Sequence, residues 1–433
     1  MVAKISTVEF SGNTIGVLAK EDDSPIVSFE YLPEWIAGGF SVDPFHLPLQ
    51  KGVFSFPNLS YDTYKGLPAV FADSLPDDFG NAIIDAWLAR KGLDVSQFNA
   101  IDRLLYTGTR GMGALEYQPA NLQNENEIFE VNLAELVDLA QKVLDNRQDF
   151  AALLTAPNAM SNLLQVGTSA GGARPKAVIA INQARDHILS GQVDAPDGYE
   201  HYLLKFDGVV EHRKGVQTFG DPKGFGLMEY AYYKMALECE IDMSPCEILI
   251  EGDRRHFATK RFDRECGQKY HVLTLCGMAH ADYKKPGHYS YEQLLAVARG
   301  LNLSQKEQVQ IFRRMVFNVI ARNHDDHTKN TSFYVDDNFE WALSPAYDIS
   351  WSYRPGSEWV DKHQMSINGK RDGFNRDDLL SVASLITNFS SKKAIDVINK
   401  TINVVKQWPE IAQELGVFSS LTDDAKESHR LLI

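Results

Sequence analysis

Cysteine is scarce: Cys239, Cys246, Cys266 and Cys276 are the only four among 433 residues. Their separations of 7, 20 and 10 positions match neither a disulfide-dense framework nor the paired C-x-x-C of a zinc site, so a reduced compartment is expected. Positive charge is in deficit too, with 43 Lys and Arg against 58 Asp and Glu and a formal net charge of −15. A chain of that sign lacks long-range attraction to phosphate, which disfavours direct DNA binding. Long apolar runs are missing as well. No stretch approaches the ~20 uninterrupted apolar residues of a membrane span, and the opening MVAKISTVEFSGNTIGV has no continuous apolar leader segment. The expectation is a soluble, cytoplasmic protein with no membrane contact.

What is present is material for a core: 44% hydrophobic residues, including 23 Phe and 17 Tyr, which excludes wholesale disorder. The length allows two or three domains. Apolar alternation over residues 8–10, a Ser11-Gly12-Asn13 turn and residues 15–19 predict an opening hairpin. After Ser74-Leu75-Pro76-Asp77, the run Ala82, Ile83, Ile84, Trp87, Leu88 suits a buried helix ending near Gly92. Asn132 and Glu135 form a capping-box pattern before a helical period through Leu144. Residues 153–166 are weakly patterned and lead into Gly167-Thr168-Ser169-Ala170-Gly171-Gly172-Ala173-Arg174-Pro175-Lys176, which places an internal boundary there. Strands are expected at 177–181, 202–206, 247–251 and 257–262, a helix at 227–237, and mostly helices from Tyr291 onward.

The most informative stretch is Arg322-Asn323-His324-Asp325-Asp326-His327-Thr328-Lys329-Asn330. Ser304 and Glu307 make a capping box before it, and Val309, Phe312, Met315, Val316, Val319 and Ile320 give one apolar helix face. Two strands follow, 331–335 and 339–343, around an Asp336-Asp337-Asn338 turn, and then Tyr347-Asp348. Phosphoryl transfer needs a carboxylate for the attacking hydroxyl's proton, and an amide and a second carboxylate for Mg²⁺. In protein kinases the first two stand five residues apart, in H-R-D-x-x-x-x-N, and the second carboxylate follows a short hairpin. Asp325 and Asn330 have that spacing, and Asp348 has that place.

Upstream, Gly167, Gly171 and Gly172 suit close backbone approach to phosphate. Lys205 is a lone charge in an apolar strand, where nucleotide phosphate would be a partner. Glu229 on the next helix is either a second partner for Lys205 or a solvated surface residue. A rival chemistry uses His324, Asp325, Asp326 and His327 as ligands of one divalent metal in a phosphohydrolase.

Taken together, these residues resemble the HipA family of bacterial toxin kinases. The marks are Phe71-Ala72-Asp73-Ser74-Leu75-Pro76-Asp77, Gly111-Met112-Gly113-Ala114-Leu115-Glu116-Tyr117, Gly171-Gly172-Ala173-Arg174-Pro175-Lys176, Lys260-Arg261-Phe262-Asp263-Arg264, residues 323–330 and Tyr347-Asp348. The resemblance implies an α+β, bilobal protein-kinase-like (HipA-like) fold with an extra N-terminal β-rich subdomain (residues 1–152), an ATP-binding lobe with the Gly-rich loop and hinge (153–265) and a mainly helical C-terminal lobe (266–433). It implies Asp325 as catalytic base, His327 near the γ-phosphate and Asn330 and Asp348 as Mg²⁺ ligands. Lys205 would bind phosphate beneath a loop containing Gly171, Gly172 and Ala173, and Lys260 to Phe262 would read the adenine edge. Ser169, with Thr168 beside it, would be autophosphorylated. The implied activity is an ATP- and Mg-dependent serine/threonine protein kinase, the toxin of a toxin–antitoxin pair, acting on a translation protein such as an aminoacyl-tRNA synthetase. A HipB-type helix-turn-helix antitoxin would restrain it and carry it to operator DNA. The alternative from another class is a non-catalytic co-repressor scaffold with a kinase fold. Neither H-R-D nor D-F-G is present: Asn323-His324-Asp325 and Tyr347-Asp348-Ile349 stand in their places. The N-terminal marks carry no evident chemistry, and Phe71, Leu75 and Leu115 read as packing residues.

Overall fold

The opening hairpin forms as expected: Lys4–Phe10 pairs antiparallel with Asn13–Lys20, and Ser11 and Gly12 turn the chain at φ 48° and 74°. The structure is a computed structural model that describes residues 4–121, 128–145, 157–167, 174–191, 195–210, 220–265 and 267–433. The chain divides into two compact units, Met1–Gly226 with Glu247–Val272, and Leu227–Cys246 with Leu273–Ile433.

The first unit holds two five-stranded sheets. One has the order Val53–Phe54, Val27–Tyr31, Asn13–Lys20, Lys4–Phe10, Leu115–Gln118. The other has the order Cys246–Glu251, Arg254–Lys260, Tyr199–Lys205, Lys176–Asn182, Ile188–Ser190. Strand alternation sends Ala177, Ile179, Ile181, Tyr202 and Leu204 to one face of the second sheet. There they bury against the helices Asp78–Arg90, Leu133–Asp145 and Pro157–Gly167, through residues such as Ile83, Leu88, Val137, Leu163 and Leu164. Truncating one of these leucines to Ala typically costs about 2–5 kcal/mol.

Two local expectations change. The weakly patterned stretch before the glycine-rich run contains the helix Pro157–Gly167, which begins on a proline whose missing N–H would have had no partner in the first turn anyway. Gly167 is the last residue of that helix, and a Cβ there would sit 2.6 Å from Ile83 Cδ1, so its smallness serves packing. Residues 168–173, among them Thr168, Ser169, Gly171, Gly172 and Ala173, lie outside the described residues, as does Cys266. The strand expected at 257–262 is Arg254–Lys260: it stops where Arg261 and Asp263 are drawn into a buried ion cluster.

The second unit is mainly helical. Tyr291–Gly300, Gln305–Ile320, Arg376–Ala383, Ser391–Val405, Trp408–Leu415 and Ser419–Ser428 surround a three-stranded sheet of Val272–Thr274, Ser332–Val335 and Trp341–Leu343. The helix Gln305–Ile320 starts on the expected capping box, with Ser304 Oγ accepting from Glu307 N and Glu307 Oε2 accepting from Ser304 N at 2.7 Å. Its apolar face, including Ile311, Phe312, Met315, Val316 and Val319, is buried.

Candidate active site

In the second unit the helix Gln305–Ile320 ends at Ala321, and Arg322 enters the left-handed region at φ 59° to start the acidic loop. Asn323 folds back on the helix end: its N–H donates to Asn318 O at 3.0 Å and its Nδ2 to Asn318 Oδ1 at 2.9 Å. His324 is buried, with Arg322 Nη1 3.1 Å from its Nε2 and the His363 ring centroid 4.1 Å from its own. Burial, then the fields of His363, Arg322 and Arg430, push its pKa down to about 2, so it is a neutral imidazole.

The two aspartates of the run diverge. Asp325 keeps its side chain 40% exposed, whereas Asp326 is buried and bonded to Tyr291, His363 and Gln364. His327 turns back so that Nε2 lies 3.7 Å from Asp325 Oδ1, and its ring meets that of Tyr283 with centroids 5.5 Å apart. Thr328 Oγ1 donates to Ala281 O at 2.5 Å, and Asn330 N donates to His327 O at 2.9 Å. Asn330 Nδ2 donates to Asp325 O at 2.7 Å. No three of His324, Asp325, Asp326 and His327 bring ligand atoms within 4.8 Å of one another, so this run does not form the single metal centre of the phosphohydrolase reading.

The hairpin Ser332–Val335 and Trp341–Leu343 then returns the chain to the loop. Asp336 Oδ1 accepts from the N–H groups of Asn338 and Glu340 at 2.8 and 2.9 Å and so builds the turn. The buried Arg314 donates through Nη2 to Ser344 O at 2.6 Å, and Asp242 O accepts from Ala346 N at 2.8 Å. Tyr347 Oη donates to Lys329 O at 2.8 Å, which ties the stretch carrying Asp348 to the acidic loop. Asp348 sits at φ 53°, in the left-handed region that Asp tolerates better than most L residues. A small recess, open to solvent, is lined by Asn323, Asp326, His327, Asn330, Tyr347 and Asp348 among others. The structure thus brings Asn330 and Asp348 to one cavity wall, with His327 beside them and Asp325 held through Asn330. Asn330 Nδ2 is committed to Asp325 O, and an amide oxygen and a carboxylate, the groups Asn330 and Asp348 bring to this recess, are hard donors of the kind Mg²⁺ prefers.

In the first unit, Lys205 is buried on the strand Tyr199–Lys205, in register with Lys176 on one side and Phe257 on the other. Directly paired residues share a sheet face, so both lysines lie opposite the apolar face just described. Lys176 Nζ lies 3.0 Å from Asp77 Oδ2, both side chains almost fully buried, and Asp77 Oδ1 caps the helix Asp78–Arg90 through Gly80 N at 2.6 Å. Lys205 Nζ lies 5.8 Å from the Phe257 ring centroid. Lys260 pairs with Glu200 at 2.6 Å, and the N–H of Arg261 donates to His201 O at 2.8 Å, with Phe262 following the strand end. Glu229, in the second unit, is only 2% exposed, a buried carboxylate and not a solvated one.

Asp263 is the anchor that sequence reading missed. It receives Arg261 Nε and Nη2 at 2.8 and 2.7 Å, Arg264 Nη1 at 2.9 Å and Gly113 N at 2.7 Å. Burial would raise its carboxyl, but the two guanidiniums hold it well below the usual carboxylate range. Arg264 also donates to the carbonyls of Gly111 and Gly113, both at 2.8 Å. Gly113, at φ 77°, leaves only 3.1 Å from an ideal Cβ to Val272 N. Two sequence marks 150 residues apart are therefore one buried cluster. The signal was there as repeated charge, Lys260-Arg261-Phe262-Asp263-Arg264, but nothing local says where such charge goes. Phe71 and Leu115 are core residues as expected, and Leu75 is partly exposed.

Comparison with known proteins places the geometry in context. The family model described as HipA-like C-terminal domain matches residues 168–408, and that described as HipA N-terminal domain matches residues 6–118. A putative kinase, Y4dM, of Sinorhizobium fredii is 29% identical over 229 residues, covering 51% of this chain and 53% of that protein. A putative kinase of Haemophilus influenzae is 26% identical over 203 residues, 43% of this chain and 53% of that protein. The chain thus spans about half the length of the curated relatives it matches. Among solved structures, the Shewanella oneidensis toxin–antitoxin complex of HipA, HipB and operator DNA gives a TM-score of 0.65 at 15% identity, over 98% of this chain and 95% of that one. That likeness establishes a shared fold.

Proposed function

The chain belongs to the HipA family, and from that premise we propose that it is an ATP- and Mg-dependent serine/threonine protein kinase, the toxin of a HipBA-type pair. The single observation that carries this reading is the junction of Asn330 and Asp348 on one recess, with Asn330 bonded to the backbone of Asp325. Asp325, exposed and acceptor-only when ionised, takes the proton of an incoming hydroxyl as its oxygen bonds to the γ-phosphorus and the bridge to ADP breaks. Asn330 and Asp348 would hold Mg²⁺, which would supply positive charge against the phosphates. His327, beside Asp325, faces the γ-phosphate. In the first unit, Lys205 binds phosphate, Gly171, Gly172 and Ala173 belong to the glycine-rich stretch that contributes to nucleotide binding, and the backbone of Lys260 and Phe262 meets the adenine. Residues 1–152, 153–265 and 266–433 are then the N-terminal part, the nucleotide-binding lobe and the catalytic lobe.

On the same reading, Ser169 is the autophosphorylation site. An added charge of about −1.5 to −2 there would repel bound nucleotide and switch the enzyme off. The partners are a HipB-type helix-turn-helix antitoxin, through which the complex reaches operator DNA, and a translation protein as substrate, an aminoacyl-tRNA synthetase by family likeness. The relative solved with HipB and operator DNA supports the first of these. The net charge of −15 suits a division of labour in which the partner supplies the phosphate contacts.

The test is transfer of radiolabelled phosphate from ATP to protein. Asp325→Asn should lower turnover by roughly 10²–10⁴, and transfer at near wild-type rate in that variant rejects the assignment. Mass spectrometry should find phosphate on Ser169 of the wild type and none in Asp325→Asn. A melting temperature unmoved by millimolar Mg²⁺–ATP would favour the co-repressor scaffold.

A further inference from the structure

We infer that Asp326 is the positioning residue of the loop that presents Asp325 and Asn330, and neither a base nor a metal ligand. The inference rests on the kinase reading above for its catalytic consequence. Its geometry stands by itself.

Asp325 and Asp326 are adjacent and chemically identical, yet one side chain is 40% exposed and the other 1%. Both oxygens of Asp326 are engaged. Oδ2 accepts from Tyr291 Oη at 2.8 Å and lies 2.9 Å from His363 Nδ1, while Oδ1 accepts from Gln364 N at 2.7 Å. The partners come from the helix Tyr291–Gly300 and from an irregular segment 37 residues downstream of the loop. A second row stands behind them: Asn318 Nδ2 donates to Tyr291 Oη at 3.1 Å, and Asn318 Oδ1 accepts from Asn323 Nδ2 at 2.9 Å. The loop is thus fastened at residue 323 to the end of the helix Gln305–Ile320 and at residue 326 to two other parts of the unit.

A carboxylate is what this position demands. The ionised carboxylate accepts from Tyr291 Oη and Gln364 N and sets His363 Nδ1 as a third donor, whereas an amide has one accepting oxygen for these contacts and would require Tyr291 and His363 to reverse their roles. With Asp326 pinned inward, burial alternates along the loop, Asp325 and His327 partly exposed and Asp326 and Thr328 buried, and the carbonyl of Asp325 accepts from Asn330. Reacting groups displaced by about 1 Å lose on the order of 10² in rate, which is the leverage a residue in this place has over a reaction it does not touch.

The experiment uses the full chain with Asp326→Asn, Tyr291→Phe, His363→Gln and, as reference, Asp325→Asn. Asp326→Asn should lower kcat per folded molecule by about 10–100-fold, hold KM for ATP and the thermal shift by Mg²⁺–ADP near wild type, and speed amide hydrogen exchange across residues 323–330. Tyr291→Phe should lower kcat by less, and adding it to Asp326→Asn should cost nothing more, because its acceptor is already lost. Wild-type kcat with unaltered exchange in a folded Asp326→Asn overturns the inference, as does a loss confined to KM. If Asp326→Asn does not fold, the same kcat-against-KM split in Tyr291→Phe and His363→Gln decides it. A wild type that neither binds nucleotide nor transfers phosphate defeats the kinase reading, and the exchange measurement then still accepts or rejects the positioning of the loop.

Discussion

The side-chain amide of Asn330 donates to the backbone carbonyl of Asp325 at 2.7 Å, so the two residues whose five-residue spacing marks the loop are joined across it by a hydrogen bond. The bond orients the amide, and Asn330 and Asp348 line the same recess.

From this follows a metal prediction. On the kinase reading, Asn330→Ala removes both the oxygen proposed to hold the cation and the tie to Asp325, and Asp348→Asn removes a charge. Each should raise the Mg²⁺ needed for half-maximal phosphoryl transfer by at least about tenfold. Titrating Mg²⁺ at saturating ATP measures it, and an unchanged midpoint in both variants would remove these residues from the metal site.

The Asp77–Lys176 pair predicts strong coupling. Lys176→Met strands a carboxyl that burial already pushes upward against the pull of Lys176 and the Gly80 N–H, at a cost of about 3–5 kcal/mol. Replacing both partners by apolar residues should cost less than the sum of the single changes, apart from about 1 kcal/mol for the lost helix cap. Denaturant melts of the four proteins close the cycle, and simple additivity would mean the pair does not interact.

Asp263→Asn should be worse tolerated than most substitutions, because it leaves Arg261 and Arg264 buried without a counter-charge, again about 3–5 kcal/mol. It also releases one hold on Gly113, so limited proteolysis should begin to cut near residues 111–113. Resistance equal to wild type would contradict the anchoring role.

Acid should weaken the fold well before carboxylates titrate in the unfolded chain. Burial pushes His201, His256, His271 and His429 down to about 4 and His324 to about 2, against about 6.5 when unfolded. Between those values the unfolded chain binds protons that the folded one refuses. Stability is therefore complete above about pH 6.5 and falls as pH drops toward 4, by at most about 1.4 kcal/mol per pH unit for each histidine. Asp77, with its raised carboxyl, opposes this as a single group. Urea midpoints at pH 7.5, 6 and 5 should decline in that order, and a rise toward pH 5 would contradict the neutral buried imidazoles.

How far the sequence reached depended on the range of the forces involved. The capping box of Ser304 and Glu307, the apolar face behind it, the hairpin at Ser11-Gly12-Asn13 and the spacing from Asp325 to Asn330 were all legible, because each is settled by partners within a few residues. Gly167 was misread for the opposite reason: its meaning is a contact with Ile83, 84 positions earlier, which leaves no local trace. Sequence alone determined most of the element types, the family likeness and the short list of candidate polar groups for the site. Only the tertiary structure decided which aspartate of an adjacent pair faces water and which is buried under Tyr291 and His363. It likewise decided that the charges at 261–264 close on Gly111 and Gly113. Burial and long-range pairing are properties of the packed chain, and one-dimensional periodicity does not encode them.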